Sequence, residues 1–86
     1  MQWQEIRQYY PYQWLLLEAV KAHSEGDQRI PDQLAVLDAF SDSAAALSAY
    51  ARLHREIPDR ELYVFHTSRD TLDIREQHWL GIRSAR

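Results

Sequence analysis

A chain of 86 residues, 45% hydrophobic and 27% charged, fits one globular domain spanning 1–86 and argues against wholesale disorder. The absence of cysteine removes disulfides, thiolate nucleophiles and zinc–thiolate sites together, and fits a reducing, cytoplasmic compartment. A net charge of -3, with Arg52 and Arg55 as a tight basic pair, lacks a phosphate-tracking patch and argues against nucleic-acid binding.

Residues 2–11, QWQEIRQYYP, predict a short N-terminal helix with Trp3 and Ile6 on one side and Pro11 closing it. The apolar run Trp14 to Leu17 that follows is too short for a signal segment or a membrane span, so no membrane contact is expected. In YQWLLLEAVKAH, Trp14, Leu16 and Val20 alternate with Leu15, Leu17 and Ala19. As a strand this stretch offers apolar groups to both faces, as central strands do. A helix is the competing reading, because Leu, Glu, Ala and Lys favour helices; the strand is preferred. HSEGDQ supplies turn residues, with Gly26 available for a positive φ, and QLAVLDAF, 33–40, reads as the second strand of a hairpin. Pro31 lacks a backbone donor and places that strand at a sheet border or bulge.

SDSAAALSAYARLHREIP predicts a long helix over about 42–57, capped by Ser41 or Asp42 and ended by Pro58. Its stripe of Ala46, Leu47, Tyr50, Leu53, His54 and Ile57 should face the sheet. RELYVFHTS reads as a buried third strand, with Leu62, Val64 and His66 alternating with Tyr63 and Phe65. A right-handed crossover through the long helix returns the third strand parallel to the second, with the first between them. The expectation is an α+β domain: a three-stranded mixed sheet of order 2-1-3, the long helix on one face, a short N-terminal helix and a C-terminal tail. The other face also needs a cover, which the Trp3/Ile6 segment, the Trp79/Leu80/Ile82 segment or a second subunit would supply.

Chemistry-bearing side chains are densest in HTSRDTLDIREQHWLGIR, 66–83. His66, Asp70, Asp73, Glu76 and His78 are of the types that hold a divalent metal. Their spacing lacks the ligand pairs of a structural site, and the simpler reading is turn-forming acids with no metal. Ser68 beside His66 has no nucleophile elbow around it, and Asp70-Thr71 is followed by Leu72 where an aspartic-protease motif needs glycine. Gly26 and Gly81, the only glycines, cannot build a phosphate loop. No enzyme activity and no cofactor are therefore expected. The segment should instead close the fold, the third strand ending near Thr67 and Trp79 anchoring a returning tail.

The runs YPYQWLLLEA, HTSRDTLDIRE and WLGIR resemble those of a group of short uncharacterised bacterial proteins with recurring W-L-L-x-E-A, H-T-S-R and W-L-G-I-R signatures. The resemblance covers about residues 9–83. It implies a stand-alone small protein and transfers no catalytic residue.

Two functional expectations follow. One is a non-enzymatic protein-interaction or regulatory module, a homodimer or the small partner of another protein, using Tyr9, Tyr10, Tyr12, Trp79 and Ile82. The other is a small ligand- or metal-binding protein using His66, Arg69, Asp73, Arg75 and His78. An antitoxin-like regulator is a third.

Overall fold

In the computed structural model, which describes residues 1–75, the first helix, α1 (Trp3–Tyr9), starts where the Gln2 backbone N–H donates to Glu5 Oε1 at 2.9 Å. This is the reciprocal half of a capping box. Trp3 and Ile6, three residues apart, are its buried side chains. Two long strands follow, β1 (Trp14–Glu25) and β2 (Gln28–Phe40), joined by a turn of Gly26 and Asp27. Gly26 takes φ +63, the left-handed region that a Gly-X hairpin turn gives its first residue. With so tight a turn, pairing continues to Glu25 and Gln28, and β2 begins well before the expected residue 33.

Helix α2 (Ser43–Glu56) is 14 residues long and is capped by Asp42, whose Oδ1 accepts from the Ala45 N–H at 2.8 Å. Strand β3 (Leu62–His66) completes a sheet of order β2-β1-β3. The α+β class and the strand order are those expected, but the sheet is not mixed. Both ladders are antiparallel. β3 runs in the same direction as β2, yet β1 lies between them, so the two like-directed strands never pair. Among the described residues no helix is long and apolar enough to cross a membrane.

β1 is covered on both faces. The pairing sets Leu15 beside Ala39 and Phe65, and Leu17 beside Val36 and Tyr63, and on this face Trp3 and Ile6 complete the core with Leu72 against it. Alternation turns Leu16, with Val64, to the opposite face, where α2 lies across all three strands. Ala46 is fully buried there, while Tyr50, Leu53 and Ile57 are half-buried. Leu47 and His54 are exposed, so the buried stripe is narrower than expected: each helical step turns about 100°, which swings Leu47 past the sheet margin. Val20 is exposed rather than buried, because the register slips between Ala19 and Lys21 and leaves it at a bulge. Trp79, Leu80 and Ile82, the expected tail cover, lie outside the described residues.

A polar clamp joins the outer strands. Arg29 on β2 donates Nε and Nη2 to the two carboxylate oxygens of Glu61, each at 2.9 Å, and the Tyr63 hydroxyl donates to the same group. Arg29 foremost, with Tyr63 adding to it, holds the Glu61 carboxyl below its ordinary pKa against the opposing effect of burial.

Two outcomes follow from this packing. Leu17→Ala, at a fully buried site, should lower stability by about 2–5 kcal/mol in equilibrium denaturation, and Leu53→Ala by only about 1 kcal/mol. Glu61→Gln should cost about 1–2 kcal/mol near neutral pH. A depressed carboxyl pKa contributes stability above the unfolded value and loses it as pH falls through the folded value. The two proteins should therefore converge in denaturation midpoint in acid.

Candidate interaction surface

The two edges of the sheet are finished differently. Along β2 the outer backbone is occupied by residues from both ends of the described chain. The Met1 ammonium donates to the Leu34 carbonyl at 2.9 Å, and the Leu34 N–H returns a bond to the Met1 carbonyl at 3.0 Å. Arg29 N–H donates to the Ile74 carbonyl at 2.8 Å, and Gln28 bridges Arg75. Pro31 sits on this strand beside a register slip, the border position its missing donor predicts.

The outer edge of β3 has no strand beside it among the described residues. Ala19 N–H donates to the Glu61 carbonyl and Thr67 N–H to the Gln13 carbonyl, both at 2.9 Å. Antiparallel alternation then turns the backbone of Tyr63 and Phe65 toward β1 and that of Leu62, Val64 and His66 outward. Of these outward groups the His66 carbonyl accepts from the Arg69 N–H at 3.2 Å. Beside the edge, Leu47 and Tyr50 of α2 join Leu62, Tyr63 and Val64 in an open apolar groove of about 210 Å³, with Leu47 54% exposed. The strand sequence LYVFH contains none of the Lys, Pro or acidic residues that usually guard a free edge.

The HTSRD turn holds β3 in place. Trp3 Nε1 donates to the Arg69 carbonyl at 3.0 Å, Gln4 Nε2 to the Asp70 carbonyl at 2.6 Å and Arg7 Nε to the Thr67 carbonyl at 2.9 Å. Buried Thr67 accepts the Gln13 N–H on its Oγ1 at 2.9 Å. The strand does end at this point, as expected. His66 Nδ1 receives the Ser68 N–H at 3.1 Å and lies 2.9 Å from Ser68 Oγ, so this ring nitrogen is engaged within the turn.

The tyrosines divide. Tyr9 and Tyr12 are 71% and 82% exposed, whereas Tyr10 packs against the core. Tyr12 adopts φ 54 and sets its ring edge-on to His66 at 4.8 Å, with Trp14 on the same imidazole at 5.0 Å. The residues of the alternative ligand site are not brought together. His66 pairs with Trp14 at one end of β1, and Arg69 stacks over Phe65 at 5.2 Å. Arg75 contacts Asp27 at 3.0 Å and Asp73 at 3.6 Å at the hairpin turn, a strand length away, or roughly 35 Å. His78, Trp79 and Ile82 lie outside the described residues. Among those residues no group of three or more His, Asp or Glu is arranged to hold a metal ion.

The edge groove is the feature that the residue pattern conceals, because Leu47 reads as part of the buried stripe. Its signal was available: Ala46, Tyr50, Leu53 and Ile57 keep one helical face, and Leu47 falls off it. Comparison with protein families, curated proteins and solved structures gives no significant match.

On the hairpin arm, His23 Nδ1 lies 2.7 Å from Asp32 Oδ2 and its Nε2 2.8 Å from Glu25 Oε2. Asp32 first and Glu25 second raise its pKa above the ordinary 6.5. The pairing is therefore complete below that value and is lost as pH rises through the raised one. An NMR titration should place His23 above 6.5, and Asp32→Asn should bring it down.

Proposed function

We propose that this chain is a non-enzymatic protein-interaction module that takes a partner strand on the outer edge of β3 and the partner's apolar side chains in the adjoining groove. The observation that carries this reading is the pairing of outward backbone groups at Leu62 and Val64 with exposed Leu47 beside them. An edge strand supplies main-chain hydrogen bonds, and a flanking pocket supplies side-chain selectivity. The contrast between edges adds weight, since Met1, Ile74 and Arg75 close β2. A cysteine-free bacterial cytoplasmic protein is the setting that composition and signature resemblance support. The spread of the 66–75 side chains along the full length of β1 speaks against the ligand- or metal-site alternative.

A photo-reactive residue placed at Leu47 in the intact chain should give a covalent protein adduct in cells, while the same residue at Val20, equally exposed on the hairpin arm, should not. Absence of any adduct at Leu47 would contradict the assignment.

A further inference from the structure

We infer that the hairpin arm beyond Lys21 is braced by a proton-dependent clip, in which protonated His23 bridges Asp32 and Glu25, and that the arm loosens when the ring gives up its proton. The clip lies away from the β3 edge and does not depend on what binds there. Its ground is the geometry of the ring: Nδ1 is 2.7 Å from Asp32 Oδ2 and Nε2 is 2.8 Å from Glu25 Oε2. Ionised carboxylates only accept hydrogen bonds, and a neutral imidazole has one N–H and one lone pair. Both contacts are therefore made together only by the imidazolium. The neutral ring must turn a lone pair on one of the two carboxylates.

The clip spans the stretch where the β1–β2 ladder is interrupted. The register slips between Ala19 and Lys21 and again between Lys21 and Ala22, and Ala22 faces Pro31, which has no N–H to give. Asp32 is the β2 residue that the second slip leaves without a partner on β1. Its side chain reaches back across the slip to His23, while its carbonyl accepts Gln2 Nε2 at 2.9 Å. Bulges bend and twist a strand pair, so the rungs from His23–Ile30 to Glu25–Gln28 join the sheet through a hinge that the clip crosses. Arg29 adds a second brace through Glu61. That pair keeps its charges near neutral pH, since the Glu61 pKa is lowered, so losing the His23 proton loosens the arm without detaching it.

The charges that act on the ring come from both strands. Asp32 on β2 acts first and Glu25 on β1 second, and both raise its pKa above 6.5. The cations around the arm are held elsewhere: the Met1 ammonium on the Leu34 carbonyl, Arg29 on Glu61, and Arg75 on Asp27 and Asp73. Lys21 stands on the other side of the second slip. The ring is 45% exposed and exchanges its proton with solvent directly. With the folded value raised, the clip is complete below 6.5 and is lost as pH rises through that folded value.

Nuclear magnetic resonance on the full chain tests the ring and the arm together. The Arg29 N–H is turned outward to Ile74, so alternation makes His23 and Ile30 a hydrogen-bonded pair. Protection of the Ile30 amide, taken relative to an unstructured chain at each pH, therefore reports opening of the arm. It should fall about two- to fivefold as His23 loses its proton, the scale of an exposed ion pair, while the Phe65 amide keeps its protection. His23→Gln should abolish that pH dependence. Side-chain nitrogen shifts of His23 should show protons on both ring nitrogens below the transition and on Nδ1 alone above it, and Asp32→Asn should lower the transition more than Glu25→Gln. Equal Ile30 protection on both sides of the transition overturns the proposal, as does a pH dependence that survives in His23→Gln. A transition that neither carboxylate substitution moves overturns the bridge, and a neutral ring protonated on Nε2 overturns Asp32 as the partner it keeps.

Discussion

Three consecutive leucines in an extended chain impose the constraint on which this fold depends. Leu15 and Leu17 point one way and Leu16 the other, and each is worth about 1.5–3 kcal/mol when taken out of water. All three are buried. A strand with that demand must be central and must be covered twice. α2 supplies one cover and the short α1 the other, so Trp3 and Ile6 are core residues despite their place at the start of the chain.

Centring β1 creates two edges, and the remaining polar contacts decide what becomes of each. Met1 and the 74–75 segment close β2, while Arg7, Gln4 and Trp3 bind the backbone carbonyls of the turn after β3. The second set fixes β3 from its end without occupying its outer side. A strand without acid, Lys or Arg, with outward donors and acceptors beside an exposed leucine, is the arrangement on which the proposed strand addition rests. The polar residues of HTSRD hold the end of that strand: Thr67 and Ser68 direct their polar groups to Gln13 and His66.

Much of this was legible from local pattern. Alternation placed β1 at the centre, Pro31 placed β2 at a border, Asp42 located the start of α2 and Pro58 its end. The order 2-1-3 followed from short connections. That order makes both ladders antiparallel, because β2 and β3, of like direction, would count as parallel only as neighbours and β1 lies between them. What local pattern does not carry is register. Slips beside Lys21 and after Leu16 put Val20 and Leu37 outside the core, and nothing in the alternation marks them. The same holds for the 66–75 side chains, which crowd together in sequence but reach from His66, paired with Trp14 at one end of β1, to Arg75, bridged to Gln28 on the outer edge of β2. Leu47 falls between these cases, visible from helical angle but hidden by its apolar character.

The account turns on the outer side of β3, beside which no strand lies among the described residues, and amide hydrogen exchange at single residues measures it directly. In the isolated chain the Val64 amide should exchange quickly while the Phe65 amide, bonded toward Leu15, stays protected. Protection of Val64 as strong as that of Phe65 would mean that the edge is closed within one chain and would contradict the account.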